Sequence, residues 1–192
     1  EAPRPPRPMT FGRPRFAAEE LGLTPAQRGT ALHLVMQFID FARAGTEEGV
    51  LSEIRRLVEA QFITPQQGEV VDPARVAAFF QSELGRALLA APKLRREFKF
   101  SLLVPAADYY PQTGAGEQVL LQGVVDCFFE TGEGVTVVDF KTDRVTEAGL
   151  AARAAYYRPQ LEAYSRALEA ILGRPVTRRA LWFFALDRAA EV

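Results

Sequence analysis

Only one cysteine, Cys127, occurs in the 192 residues, which excludes an internal disulfide framework and any four-cysteine zinc or iron–sulfur site. It sits in an apolar run and reads as a small core residue. Lysine is scarce as well, limited to Lys93, Lys99 and Lys141, and arginine carries the rest of the positive charge. A high-GC genome explains that bias as well as function does. Charge of one sign is not in excess: 23 Lys and Arg balance 24 acids, and a net charge of −1 excludes a strongly basic coat for nucleic acid. A local basic groove is still allowed. No stretch is long and apolar enough to span a bilayer, and the chain does not open on a signal-peptide pattern, so a cytoplasmic protein is expected. What remains is an ordinary globular composition, 48% hydrophobic and 24% charged, enough for one domain with its own core.

Residues 1–15 hold five Pro and four Arg with almost no apolar periodicity. They read as a semi-rigid linker, and a chain that opens on a linker is expected to be a domain of a larger protein. Residues 16–192 read as one domain, helical to about residue 92 and carrying a sheet beyond it. Thr24-Pro25 predicts an N-cap and first turn, opening a buried helix to about Arg43. A second helix is expected over 47–61, with Ile54, Leu57, Val58 and Gln61 as its stripe. A third is expected from Asp72-Pro73 towards Leu89.

From Arg96 the period changes to two, with Phe98, Phe100, Leu102 and Val104 alternating with polar residues, which predicts a strand. Two apolar runs, 118–130 and 135–141, flank Thr131-Gly132-Glu133-Gly134 and predict a hairpin with a Gly-X type II′ turn. A short helix is expected from Glu147, another from Arg158-Pro159 to Leu172 with Gly173 ending it, and a last strand over 177–186. The fold class is α/β, a central mixed β-sheet flanked by helices with an N-terminal helical section.

With Gly132 and Glu133 as the hairpin loop, Asp126 stands directly across from Asp139. Both aspartates lie in apolar runs, and two like charges buried side by side either cost several kcal/mol or force one to protonate. A divalent cation between them removes the conflict. Lys141, two residues beyond Asp139, points to the same face. Two hard oxygen ligands and a cation on one sheet face suit Mg²⁺ and phosphate-ester hydrolysis. A semi-buried ion-pair cluster is the alternative reading of the same three residues.

Gly123-Val124-Val125-Asp126, followed by Val138-Asp139-Phe140-Lys141-Thr142-Asp143, resembles the PD-(D/E)xK nuclease superfamily. It is most similar to the C-terminal nuclease domains of the AddA and RecB helicase–nucleases. Further segments fit the same pattern in order: Arg28-Gly29-Thr30-Ala31-Leu32-His33, Arg96-Glu97-Phe98-Lys99-Phe100, and Tyr157-Arg158-Pro159-Gln160-Leu161-Glu162-Ala163-Tyr164. The resemblance covers about residues 24–186 and implies a restriction-endonuclease-like core. It implies that His33 joins Asp126, Asp139 and the Phe140 backbone carbonyl as ligands of Mg²⁺, with Mn²⁺ as a possible substitute.

It implies that Glu97 lies near the metal, binding it through water or holding a second ion. Gln160 is implied to lie near the catalytic lysine or the scissile phosphate, and Tyr164 on the DNA backbone. Arg144 and Arg158 flank these segments and could contact phosphate. The implied activity is cleavage of single-stranded DNA delivered by helicase domains of the same full-length chain, with a second nuclease subunit as partner, in double-strand break processing. No Walker A phosphate loop occurs in this stretch, so no ATP site is expected. Two other readings stay open: a catalytically silent nuclease-like module that binds DNA or a partner, and a stand-alone exonuclease or endonuclease of the same superfamily.

Overall fold

Thr24 opens the first helix through a reciprocal capping box: its hydroxyl accepts the Gln27 N–H at 3.2 Å, and the Gln27 side chain accepts the Thr24 N–H at 2.8 Å. The computed structural model describes residues 23–114 and 116–192. The expected linker over 1–15 and the expected domain start at residue 16 lie outside the described residues. Helix α1 runs Pro25–Phe38, stopping short of Arg43, because the Asp40 carboxylate caps a separate 3₁₀ turn over Phe41–Arg43. No residue from Ala31 to Ile39 is exposed, as its all-round apolar pattern predicts.

Helix α2 spans Glu47–Glu59 and buries Val50, Glu53, Ile54 and Leu57. It ends two residues before Gln61, which is exposed in the left-handed region (φ 60°) and so cannot belong to the stripe. A five-residue helix, α3 (Pro65–Glu69), was not expected from the sequence. The long helix expected after Asp72 is two, α4 (Pro73–Gln81) and α5 (Glu83–Ala90). They break at Ser82, whose hydroxyl accepts the Gly85 N–H at 3.0 Å and starts a new helix.

The sheet holds five strands in chain order: β1 (Lys93–Pro105), β2 (Gln118–Glu130), β3 (Val135–Lys141), β4 (Val176–Phe183) and β5 (Arg188–Glu191). All neighbours are antiparallel except β3 and β4, which are parallel and joined through helix α6 (Leu150–Leu172). The expected short helix at Glu147 is a 3₁₀ turn leading directly into α6. Arg158-Pro159 does not start a helix. Pro159 sits inside α6, where it frees the Ala155 carbonyl on an exposed face that water can reach. Gly173 ends α6 in the left-handed conformation, as expected. The last apolar run stops at Phe183 and doubles back through Asp187 (φ 52°) to make edge strand β5.

The β2–β3 hairpin has the expected register, pairing Glu130 with Val135 and Cys127 with Val138. Its turn is not type II′, which would place a positive φ at Gly132. The positive φ falls on Gly134 (153°), where a Cβ would lie 2.6 Å from the Pro175 carbonyl oxygen.

The sheet is sandwiched between two cores. Cys127, Phe129, Val138, Phe140 and Trp182 pack on helices α1 to α5. Phe100, Val125, Phe128 and Val137 pack beneath Ala167 and Leu168 of α6. One irregularity changes which faces of β1 and β2 meet the two cores. Arg96 reaches the α1 side and Cys127 belongs to the core there, while Phe98 and Val125, the next pair of the same parity, pack on the α6 side. The switch occurs at Glu97, which adopts φ 48° within the strand and drops out of the ladder opposite Asp126.

Arg96 ties this strand to α1. Its Nη1 donates to the Met36 and Ile39 carbonyl oxygens at 3.2 and 2.7 Å, and its guanidinium lies 4.3 Å from the Phe41 ring centroid. A cation on the last carbonyls of a helix complements its dipole. Arg96→Met should therefore cost about 2 kcal/mol in denaturant unfolding. An unchanged midpoint would show that packing alone seats α1.

Candidate active site

The end of β3 places its side chains alternately: Val138 and Phe140 enter the helical core, while Asp139 and Lys141 face α6. The β2–β3 ladder stops at Cys127–Val138, one pair short of the aspartates. Asp126 therefore does not face Asp139 as a ladder partner. Its Oδ2 instead accepts the Phe140 N–H at 2.8 Å, replacing the backbone acceptor that the ladder would have supplied. The two carboxylates still share one cleft of about 260 Å³, lined also by His33, Phe140, Lys141, Asp143, Tyr157 and Gln160.

From above, α1 brings His33 to this cleft, its Nδ1 3.5 Å from Asp126 Oδ2. Gly29, one turn earlier, lets α1 approach β3, since a Cβ there would lie 2.8 Å from the Thr142 hydroxyl. From the sheet, the left-handed turn at Glu97 swings its carboxylate to the same point. One ligand atom each from His33, Glu97 and Asp126 lie within 4.8 Å of one another. The tight trio is thus not the expected His33, Asp126 and Asp139. Asp139 lines the cleft beside it, its Oδ2 paired with the Lys141 ammonium at 2.5 Å.

The electrostatics are those of compressed like charge. Burial, then the neighbouring Asp139, pushes the Asp126 carboxyl up to about 7. Burial also raises Asp139, against the pull of Lys141, and raises Glu97. Burial lowers His33, which favours the neutral imidazole. Asp126 and Asp139 in the cleft, Glu97 beside His33 and Asp126, and an imidazole whose neutral form is favoured make a donor set in which ionising every carboxyl group is disfavoured.

Helix α6 supplies the opposite wall. Gln160 Oε1 accepts from Lys141 Nζ at 3.1 Å, and its amide nitrogen donates to the Tyr164 hydroxyl at 2.8 Å. Tyr164 packs edge-on to Phe100, 5.9 Å between centroids, in space kept open by Gly123. Arg144 is exposed and lines a larger groove adjoining the cleft through Thr142 and Asp143. Arg158 is not brought to the site. It is exposed and lines a separate cleft formed by α6 and β5.

Residues not singled out from the sequence complete the wall. Tyr157 lies with its ring 3.8 Å from Lys141 Nζ, and its hydroxyl donates to Asp143 Oδ2 at 2.6 Å. Arg153 donates to both Asp143 oxygens. The signal was present, because Arg153, Tyr157, Gln160 and Tyr164 form one helical stripe. Splitting α6 at Pro159 hid it.

A protein-family model described as the PD-(D/E)XK nuclease superfamily matches residues 11–191. The chain belongs to that superfamily. Among relatives named as a subunit of an ATP-dependent helicase/nuclease, it is 42% identical to that of Desulforamulus reducens over 181 residues, 93% of this chain and 14% of the relative. It is 44% identical to that of Geobacillus kaustophilus over 183 residues, 91% of this chain and 15% of the relative. For Moorella thermoacetica the figures are 41% over 189 residues, 95% and 13%. The chain thus spans about one seventh of the length of these relatives. Its mixed sheet flanked by helices is the α/β architecture expected for the superfamily.

For this superfamily member the raised carboxyl has a measurable cost. A folded-state pKa above the unfolded value contributes stability at low pH that is lost as pH rises through the folded value, here from the ordinary carboxylate range to about 7. In EDTA, Asp126→Asn, which keeps an acceptor for the Phe140 N–H, should melt above the wild type at about pH 8, with the difference shrinking as pH falls and vanishing only below about pH 4. A pH-independent difference would contradict the assignment.

Proposed function

We propose that this domain hydrolyses DNA phosphodiesters with a divalent cation, Mg²⁺ or Mn²⁺ in its place, held by His33, Asp126, Asp139 and the Phe140 carbonyl, with Glu97 as a further ligand. The carrying observation is the convergence of the buried Asp139, the half-buried Asp126 and Glu97 and an imidazole beside one ammonium. Carboxylate oxygens suit Mg²⁺, and the imidazole nitrogen makes Mn²⁺ acceptable. Bound there, the cation neutralises the carboxylates and supplies Lewis acidity towards a phosphoryl oxygen and a bound water.

The protein's own groups do the remaining work. Asp126, fixed by the Phe140 N–H, and His33, carried by α1, set the position of the reacting phosphate. Lys141, pinned between Asp139 and Gln160, orients the attacking water and stabilises the charge that grows on the phosphoryl oxygens. Gln160 and Tyr164 hold that lysine face and lie where the strand would pass. Arg144 contacts phosphate at the mouth of the adjoining groove. Arg158 has no role in this scheme.

The relatives' name supports a wider reading. The domain cuts single strands delivered by helicase domains of a longer, cytoplasmic chain, alongside a second nuclease subunit, during double-strand break processing and recombinational repair. Among the described residues, no helix is long and apolar enough to cross a membrane.

The test is cleavage of an end-labelled single-stranded oligonucleotide by this domain. Mg²⁺ or Mn²⁺ should support it and EDTA abolish it. Lys141→Ala should lower kcat by about 10²- to 10³-fold while leaving oligonucleotide binding in Ca²⁺ intact. Cleavage by Lys141→Ala at the wild-type rate would overturn the assignment, and a wild-type domain inert with both cations would favour a silent binding module.

A further inference from the structure

Lysine is the most mobile of the groups in the proposed mechanism, a point charge on a flexible four-carbon stem. Its three donors must all be engaged if it is to stay in one place. At Lys141, the Asp139 carboxylate forms an ion pair with the ammonium, 2.5 Å from Oδ2 to Nζ, and Gln160 Oε1 accepts a hydrogen bond from it at 3.1 Å. The third side of the ammonium is covered by the Tyr157 ring, 3.8 Å from Nζ to the centroid. No other aromatic ring among the described residues makes a cation–π contact with Lys141.

The ring is itself fixed. The Tyr157 hydroxyl donates to Asp143 Oδ2 at 2.6 Å and accepts from Arg153 Nη2 at 3.0 Å, and Asp143 also pairs with Arg153. Burial and the Asp143 hydrogen bond push its pKa up to about 12, so the hydroxyl remains a neutral donor. The ring bridges the end of β3 to α6, and the lysine lies between them.

We infer that Tyr157 is the positioning residue for Lys141, holding its ammonium against the cleft through the face of the ring. The proposal rests on the nuclease reading given above. A ring face attracts a cation whether or not it carries a hydroxyl, so the role belongs to the π-system, and Phe should serve where Leu does not. The hydroxyl's contacts with Asp143 and Arg153 fix the ring and are secondary.

The chain has only three lysines, so the test can be read directly on them. In protein labelled with ¹³C-lysine, the ε-methylene resonance of Lys141, assigned by its loss in Lys141→Arg, should lie upfield of those of Lys93 and Lys99 through the ring current. It should remain upfield in Tyr157→Phe and move to the position of the other two in Tyr157→Leu. In single-turnover cleavage, Tyr157→Leu should lose roughly ten- to thirtyfold in rate with unaltered oligonucleotide affinity. Tyr157→Phe should restore most of that loss, and Tyr157→Leu should add nothing in a Lys141→Ala background.

The proposal is overturned if the wild-type Lys141 resonance coincides with the other two, if Phe is as damaging as Leu, or if the Leu and Lys141→Ala losses multiply. Should Tyr157→Leu lose its cooperative melt, the wild-type and Tyr157→Phe spectra decide. A wild type that cleaves nothing but shows the upfield lysine would sink the nuclease reading and keep the ring–lysine contact.

Discussion

Two carboxylates withdrawn from water in one small cleft repel each other and resist ionisation, and Asp126 and Asp139 both line such a cleft. The β2–β3 ladder ends one pair before them, so Asp126 takes over a backbone bond to Phe140. Lys141 offsets one of the charges and belongs to the same strand face. Glu97, delivered by a left-handed residue in mid-strand, adds a third carboxyl to the crowd. A sequence selected only for stability would not gather these groups, because a non-glycine residue at positive φ and a pair of buried carboxylates each cost free energy. Such strain is commonly stored at functional sites.

The rest of the fold keeps that centre in place from both sides. The helical layer brings down α1, with Gly29 allowing close approach over Thr142 and Arg96 clasping the helix's final carbonyls. On the other side, α6 presents one stripe, Arg153, Tyr157, Gln160 and Tyr164, against Lys141 and the face of β1 and β2. Strand-face alternation alone would carry β1 and β2 past the site without opening it. The parity switch at Glu97 and Asp126 lets the same two strands feed the helical core at one end and the α6 core at the other.

Much of this was legible in the residues. The capping signals at Thr24-Pro25 and Asp72-Pro73, the period-two runs and the glycine hairpin matched the element types and the hairpin register as far as Cys127–Val138, one pair short of the aspartates. Boundaries failed where side chains outcompete the backbone: Asp40 and Ser82 each cap a new turn inside an apparently continuous helix. Pro159 failed in the opposite sense, because a proline whose freed carbonyl faces solvent need not interrupt a helix. The positive φ at Glu97 has no local signal at all. It accompanies the switch of β1 from one core to the other, and it takes the Glu97 carboxylate to His33 and Asp126. Arg158, close to the site in sequence, was carried off to the far cleft by the same unbroken helix.

The central claim is that one cation resolves the charge conflict among these groups. Anomalous diffraction from crystals of the domain soaked in Mn²⁺ tests it most directly. A peak coordinated by His33 and Asp126 and flanked by Asp139 or Glu97 is expected, lost in crystals of Asp126→Asn. Strong manganese peaks elsewhere with none at this cleft, or a peak unaffected by Asp126→Asn, would contradict it.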